Sequence, residues 1–114
     1  MKLDRNIPGN DGRGKYALLL LRQLAAYDDQ NAFGGLPPEI EAALTTLESA
    51  GIIDWGTQGA ESEFFVIRLK DKNAQFALRA YATECALTDR EFANEVFELA
   101  NRAGPNSKWC KEPD

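Results

Sequence analysis

The chain has 114 residues, of which 44% are apolar and 27% are charged, and this composition is typical of one ordinary soluble globular domain. A chain of this length buries about two thirds of its unfolded surface, so it needs neither a metal ion nor disulfide bonds to fold. It has no histidine and a net charge of −5, which excludes histidine-based catalysis and imidazole metal sites and disfavours nucleic acid as the default partner.

Cysteine usage and hydropathy predict a cytoplasmic protein. Cys85 and Cys110 do not form a CxxC motif, and no charged-then-apolar leader segment stands before them. The longest apolar run, residues 16–21, is six residues long, whereas a membrane span needs about 20. We therefore expect reduced thiols, no membrane span, no metal and no cofactor.

The first part of the chain predicts an arm followed by a helix. Residues 1–14 are rich in glycine and other turn formers, which favours an extended arm or loop, and residues 1–7 are compatible with a short strand. Residues 15–27 are good helix formers that are apolar on most sides. This pattern predicts the central, buried helix of the fold.

A second helix and a hairpin are expected after the connector 28–36. Pro37 and Pro38 suit the first turn of a helix, and Gly51 suits its left-handed stop. Between them, apolar residues recur at helical spacing: Ile40, Ala43, Leu44 and Leu47. The β-rich runs 52–55 and 64–69 then flank a polar, glycine-bearing loop, which predicts a two-stranded β-hairpin.

Two more helices complete the prediction. Asp71 is the expected cap of a third helix over 72–87, and residues 88–91 carry a capping-box pattern with Thr88 as the N-cap of a fourth. Gly104 and Pro105 end that helix, and the tail 105–114 is expected to dock through Trp109. The predicted fold class is α+β, with about four helices packed on a two-stranded antiparallel hairpin and residues 15–104 forming one globular domain.

Residues 36–70 carry a resemblance to a known family. Here a leucine-containing helix ends in a glycine, enters an apolar strand and returns through a glycine-bearing loop. This order resembles the last core helix and wing of a winged-helix domain, and the resemblance implies a winged-helix-like core whose helix before the wing enters the major groove of DNA. The middle helix of the usual three has no counterpart, since 28–36 is short and glycine-rich.

The charge of residues 36–67 argues against that mode of DNA binding. The stretch contains six acidic residues and no lysine or arginine, so phosphate groups would be repelled. One interpretation is an acidic face that docks a protein partner, and the alternative is an ordinary solvated helix and loop. The residues that we assign to this acidic face are Glu39, Glu41, Glu48, Trp55, Glu61 and Glu63.

Basic residues are concentrated near the N-terminus instead. The candidates for phosphate contact are Arg5, Arg13, Lys15 and Arg22, and the same arm could also pair with the acidic face of its own chain. Residues 9–15 match the spacing of a P-loop up to its lysine. Tyr16, however, stands where that motif needs Ser or Thr to hold Mg²⁺, so a glycine-rich helix entry is the better interpretation.

A second resemblance spans nearly the full length. Residues 12–18, 63–67 with 70–72, and 102–107 with 110–111 resemble small proteins of bacteriophages and prophages, a group without an established activity. The resemblance implies a bacterial intracellular context and a non-enzymatic role. We therefore expect a non-catalytic protein-binding module of phage or prophage type, acting through an acidic helix-plus-hairpin face. The alternative is a winged-helix DNA-binding regulator that contacts phosphate through its basic arm.

Overall fold

The structure is a computed structural model that describes residues 1–21 and 37–113. Its contacts divide the chain into two units, one formed by Met1–Ala17 with Val66–Asp114 and the other by Leu18–Phe65. The described residues form three α-helices and contain no β-strand: α1 (Pro38–Ser49), α2 (Ala74–Cys85) and α3 (Arg90–Asn101). The predicted α+β fold of four helices on a hairpin is therefore wrong.

Helices α2 and α3 pack against each other and form the core of the first unit. Its buried apolar side chains are mostly small: Ala74, Ala82, Ala93, Val96, Leu99, Ala100 and Ala103. Beside them, Tyr81 meets Phe92 edge to face, with 6.3 Å between the ring centroids. Four of these residues, Ala93, Val96, Leu99 and Ala100, belong to α3, and the start of α3 is not where the sequence predicts it.

The N-cap of α3 is Asp89 and not Thr88. The Asp89 carboxylate accepts a hydrogen bond of 3.0 Å from the backbone N–H of Phe92, which satisfies one of the unpaired donors of the first turn. The capping box expected between Thr88 and Glu91 is therefore absent, and the N-cap lies one residue later. In a capping box, a glutamate three residues after the N-cap accepts a hydrogen bond from the backbone N–H of the N-cap residue. Phe92 stands at that position here, so Asp89 caps α3 without a reciprocal hydrogen bond.

Helix α1 begins and ends close to where the sequence predicts. Pro38 opens it, and Gly51 follows it with a φ of 73°. The N–H of Ile52 donates to the carbonyl of Leu47, and the N–H of Gly51 donates to that of Glu48, which is the bond pair of a Schellman motif. The left-handed stop at Gly51 is confirmed.

The predicted hairpin is absent, because residues 52–57 and 63–68 form no strand with each other or with any other described residue. A closed loop lies between them instead. One oxygen of Asp54 accepts hydrogen bonds from the N–H of Gly56 at 2.9 Å and the hydroxyl of Ser62 at 3.0 Å, and the Phe64 ring lies directly against Gly56. These local bonds bring the two ends together without a ladder, so the wing implied by the winged-helix resemblance is absent from the described residues.

Both strand and helix expectations for the N-terminal region are also wrong. Asp4–Asn6 is a 3-10 turn, not a strand, and residues 16–20 are not helical. Tyr16 is 91% exposed, so this run lacks the packed face from which a helix in a protein takes most of its stability. Residues 22–27 of the predicted helix lie outside the described residues.

The C-terminal tail is held by its backbone. Lys111 forms a parallel bridge with Asp71, and Lys72 pairs with Glu112 at 2.7 Å. Trp109 remains 67% exposed, with the Lys108 ammonium 4.4 Å from its ring centroid. The expectation that the Trp109 ring docks the tail is therefore wrong.

Candidate functional site

Three of the candidate acidic residues lie on α1, where they do not share one face. Its half-buried stripe is formed by Ile40, Leu44 and Leu47. Glu41 and Glu48 are two turns apart on one side of this stripe. Glu39 lies on its other side, about 160° around the axis from Glu41 at 3.6 residues per turn. The structure therefore brings Glu41 and Glu48 together and places Glu39 apart from them.

The two ends of α1 differ electrostatically. Glu39 and Glu41 lie in the first turn, where the positive end of the helix dipole favours acidic side chains. Glu48 lies near the other end, where the dipole is negative and the last turn contains no basic residue. The field at the C-terminal end of α1 therefore favours an approaching cation.

The remaining members of the acidic face belong to the closed loop after α1. Glu63 turns one carboxylate oxygen back onto the N–H of Gly59 at 3.0 Å, so it helps to hold the loop closed. Glu61 is exposed and has no hydrogen bond within the described part of the chain. Trp55 is 39% exposed beside them. All six candidate residues thus lie in the unit Leu18–Phe65.

The basic arm docks on α3. Glu95 accepts hydrogen bonds from the N–H of Leu3 at 2.7 Å and from the Asn6 side-chain amide at 3.3 Å. The N-terminal ammonium contacts Asp89 at 2.8 Å, and Lys2 lies 3.8 Å from Glu91. The acids that hold the arm are therefore those of α3.

Within the arm, the glycine-rich stretch folds onto an aspartate. The Asp4 carboxylate accepts hydrogen bonds from the N–H groups of Arg5 and Lys15, and these bonds, that from Lys15 above all, lower its pKa. A Cβ at Gly14 would lie 2.9 Å from both Asp4 carboxylate oxygens. A side chain at position 14 would therefore displace the Asp4 carboxylate from this position.

The phosphate-contact candidates of the arm are exposed. The side chains of Arg5, Arg13 and Lys15 form no ion pair within the described residues. Arg22 lies outside the part of the chain that the structure describes. Three of the four basic candidates are thus available to an anionic partner.

Sequence reasoning missed the carboxylates of α3. Asp89 has a lowered pKa, first because it accepts a hydrogen bond from the terminal ammonium and second because it caps α3. Glu91 and Glu95 are four residues apart and therefore share one side of the helix. This i, i+4 spacing is visible in the sequence, but it does not predict that Glu95 binds the backbone N–H of Leu3.

The described residues contain no cluster of three or more cysteine, aspartate or glutamate side chains able to hold a metal ion. Both thiols are free, with Cys85 half-buried and Cys110 exposed. Charge on the neighbouring Cys85 raises the pKa of Tyr81, and partial burial adds to the shift. Among residues 1–21 and 37–113, no helix is long and apolar enough to cross a membrane.

Comparisons with protein-family models, with curated proteins and with solved structures find no match to this chain.

Proposed function

We propose that this chain is a non-catalytic protein-binding module of phage or prophage type, and that the acidic residues of α1 and the following loop bind a basic segment of a partner protein. The residues that we assign to this function are Glu39, Glu41, Glu48, Trp55, Glu61 and Glu63, of which Glu41 and Glu48 lie on one side of α1 and Glu39 on the other. The observation that carries the proposal is the charge of −6 over residues 36–67, where six acids stand without a single lysine or arginine.

The surroundings of these acids favour a cationic partner. None of the five glutamates forms an ion pair within the described residues, so an incoming lysine or arginine displaces no internal partner. At the end of α1, the charge of Glu48 adds to the negative end of the helix dipole. Trp55 is a partly exposed aromatic of the kind that anchors protein interfaces.

The test is capture of partners from a bacterial lysate by the wild type and by a triple variant, Glu39→Lys, Glu41→Lys and Glu48→Lys. We expect the triple variant to lose a partner that the wild type retains. The matched control changes Glu84, Glu91 and Glu98 to lysine, which alters net charge by the same amount elsewhere. An unchanged set of partners in the α1 variant, or an equal loss in the control, would refute the proposal.

The position of Trp55 gives a second readout. In a Trp109→Phe background, Trp55 is the only tryptophan, so its fluorescence reports directly on the loop. Titration with the captured partner should shift its emission and should fail to do so in the α1 variant. A shift that survives in the variant would place the partner on another surface.

A second candidate function is phosphate binding by the arm. It is favoured by the exposed side chains of Arg5, Arg13 and Lys15, which form no ion pair with any described residue. A mobility shift with duplex DNA at about 50 mM salt should then show binding that weakens steeply as salt rises. Absence of a shift at low salt would eliminate this candidate.

A further inference from the structure

Helix α2 carries an apolar stripe on the side opposite the face that packs against α3. Its positions are alternately four and three residues apart, the spacing that keeps one seam of a helix facing a partner helix. Phe76 is 64% exposed, and Leu87, in the turn after the helix, is 77% exposed. The described residues thus leave open a face that suits a second helix. The four members of the stripe are Phe76, Ala80, Thr83 and Leu87.

One member of the stripe is polar, and its polar group is already satisfied. The hydroxyl of Thr83 donates to the carbonyl of Arg79 at 2.8 Å within the helix. Burial of Thr83 against a partner therefore leaves no unpaired hydroxyl and presents its methyl group to the seam.

The two flanks of the stripe carry opposite charges. Arg79 and Glu84 lie on its two sides, each about 70° from its centre at 3.6 residues per turn. Both are exposed, and neither forms an ion pair within the described part of the chain. In heptad positions, Arg79 is a g residue and Glu84 is the e residue five places later.

These charges distinguish between the orientations in which two copies of α2 can pair. In a parallel two-fold pair, the g residue of each copy lies beside the e residue five places later on the other, so Arg79 meets Glu84 twice. In an antiparallel pair, Arg79 would lie beside Arg79 of the second copy, and Glu84 beside Glu84. The charges on the flanks therefore favour the parallel pair.

We infer that two copies of this chain associate through α2 as a parallel pair of helices, with an ion pair between Arg79 and Glu84 on each side of the seam. The two-fold axis runs along the helices, so Phe76 meets its own copy at one end and Leu87 meets its own copy at the other. Because the contact is only about three turns long, the dimer is weak and forms between about 10 µM and 1 mM.

The mass of the full chain in solution, measured by light scattering over this concentration range, tests the inference. We expect a monomer at the low end and a dimer at the high end. The single variants Arg79→Glu and Glu84→Arg should each raise the dimer Kd about tenfold, because each replaces two ion pairs by two repulsions. The variant with both substitutions should dimerise like the wild type.

Mixing the two single variants is the decisive experiment. On one side of a mixed pair, the glutamate introduced at position 79 lies beside the arginine introduced at position 84. On the other side, the native Glu84 of the first variant lies beside the native Arg79 of the second. A heterodimer should therefore form although neither variant pairs well with itself.

Three controls separate the dimer from other effects. Glu98→Arg makes the same charge change as Glu84→Arg at an exposed position of α3 and should leave the Kd unchanged. Melting curves of the single variants at about 10 µM should match the wild type, because the substituted side chains are exposed in the monomer. The α1 triple variant should dimerise normally, which separates the dimer from the proposed function.

Three results would overturn the inference. The first is a wild type that stays monomeric up to about 1 mM. The second is a dimer that both single variants retain, as an antiparallel pair would. The third is a mixture of the two single variants that dimerises no better than each variant alone.

Discussion

Replacement of Glu95 by alanine should release the N-terminal arm from α3. Glu95 accepts one hydrogen bond from the N–H of Leu3 at 2.7 Å and a longer one from Asn6 at 3.3 Å. A hydrogen bond to a charged group contributes about 1.5–3 kcal/mol, and partial exposure places this pair near the lower limit. We therefore expect a loss of about 1.5 kcal/mol from arm docking, which is roughly a tenfold rise in the open population.

Hydrogen exchange at the Leu3 amide measures this population directly, and trypsin cleavage after Arg5 and Arg13 measures it independently. Glu95→Gln keeps one acceptor oxygen and should have an intermediate effect. Glu91→Ala is the matched control: it removes an exposed pair with 3.8 Å between Lys2 and Glu91, which contributes between about 0 and 1 kcal/mol.

An exchange rate at Leu3 that stays within about twofold of the wild type in Glu95→Ala would refute this account of arm docking. Opening of the arm by Glu91→Ala to the same extent as by Glu95→Ala would refute it too. In that case the docking would depend on diffuse charge attraction and not on the two directed hydrogen bonds. A strong response of wild-type exchange to moderate salt would point to the same conclusion.

Three further outcomes are expected. Gly51→Ala should destabilise the end of α1 by about 1–2 kcal/mol because the residue has a φ of 73°, and amide exchange at Ile52 should report it, with Ser49→Ala as the control. Asp89→Ala should lower the melting temperature while Thr88→Ala leaves it nearly unchanged, since Asp89 and not Thr88 caps α3. Equal decreases in melting temperature would show that Thr88 also caps the helix. Asp4 and Asp89 have pKa values below the ordinary 3.8 in the folded chain, so their contribution is complete at neutral pH and is lost as the pH falls below about 4. The protection factor of the Lys15 amide, which corrects for the intrinsic pH dependence of exchange, should fall in that range, and less steeply in Asp4→Asn.

The helices could be predicted where apolar residues recur at helical spacing between a residue that favours a helix start and one that favours a helix stop. Around α1, apolar residues at helical spacing stand between Pro38 and Gly51, and both boundaries were predicted to within a residue. The run 15–21 has helical propensity without a polar face or a cap. Propensity alone provides little stability, and the structure leaves these residues outside any helix of the described chain apart from a single 3-10 position at Leu21.

The candidate site was only partly predictable. Counting charges identified the exposed acids of residues 36–67, but the separation of Glu39 from Glu41 follows from their angular positions on α1. Docking of the arm on α3 could not be predicted from the sequence for a different reason. The Leu3 to Glu95 bond joins residues 92 positions apart and uses a backbone donor, which every residue except proline possesses. No side-chain pattern could single out Leu3.

The absent hairpin can be tested at the backbone. In a hairpin with residues 52–55, the N–H groups of Phe64 to Ile67 would bond within the chain and exchange slowly with solvent. In the structure these groups donate to no described residue, so their exchange should be close to that of an open chain. β-Propensity reports how well a residue fits a pleated, half-buried surface and does not say which strand lies beside it. Strong protection of the Phe65 and Val66 amides would therefore refute the open segment and restore the hairpin.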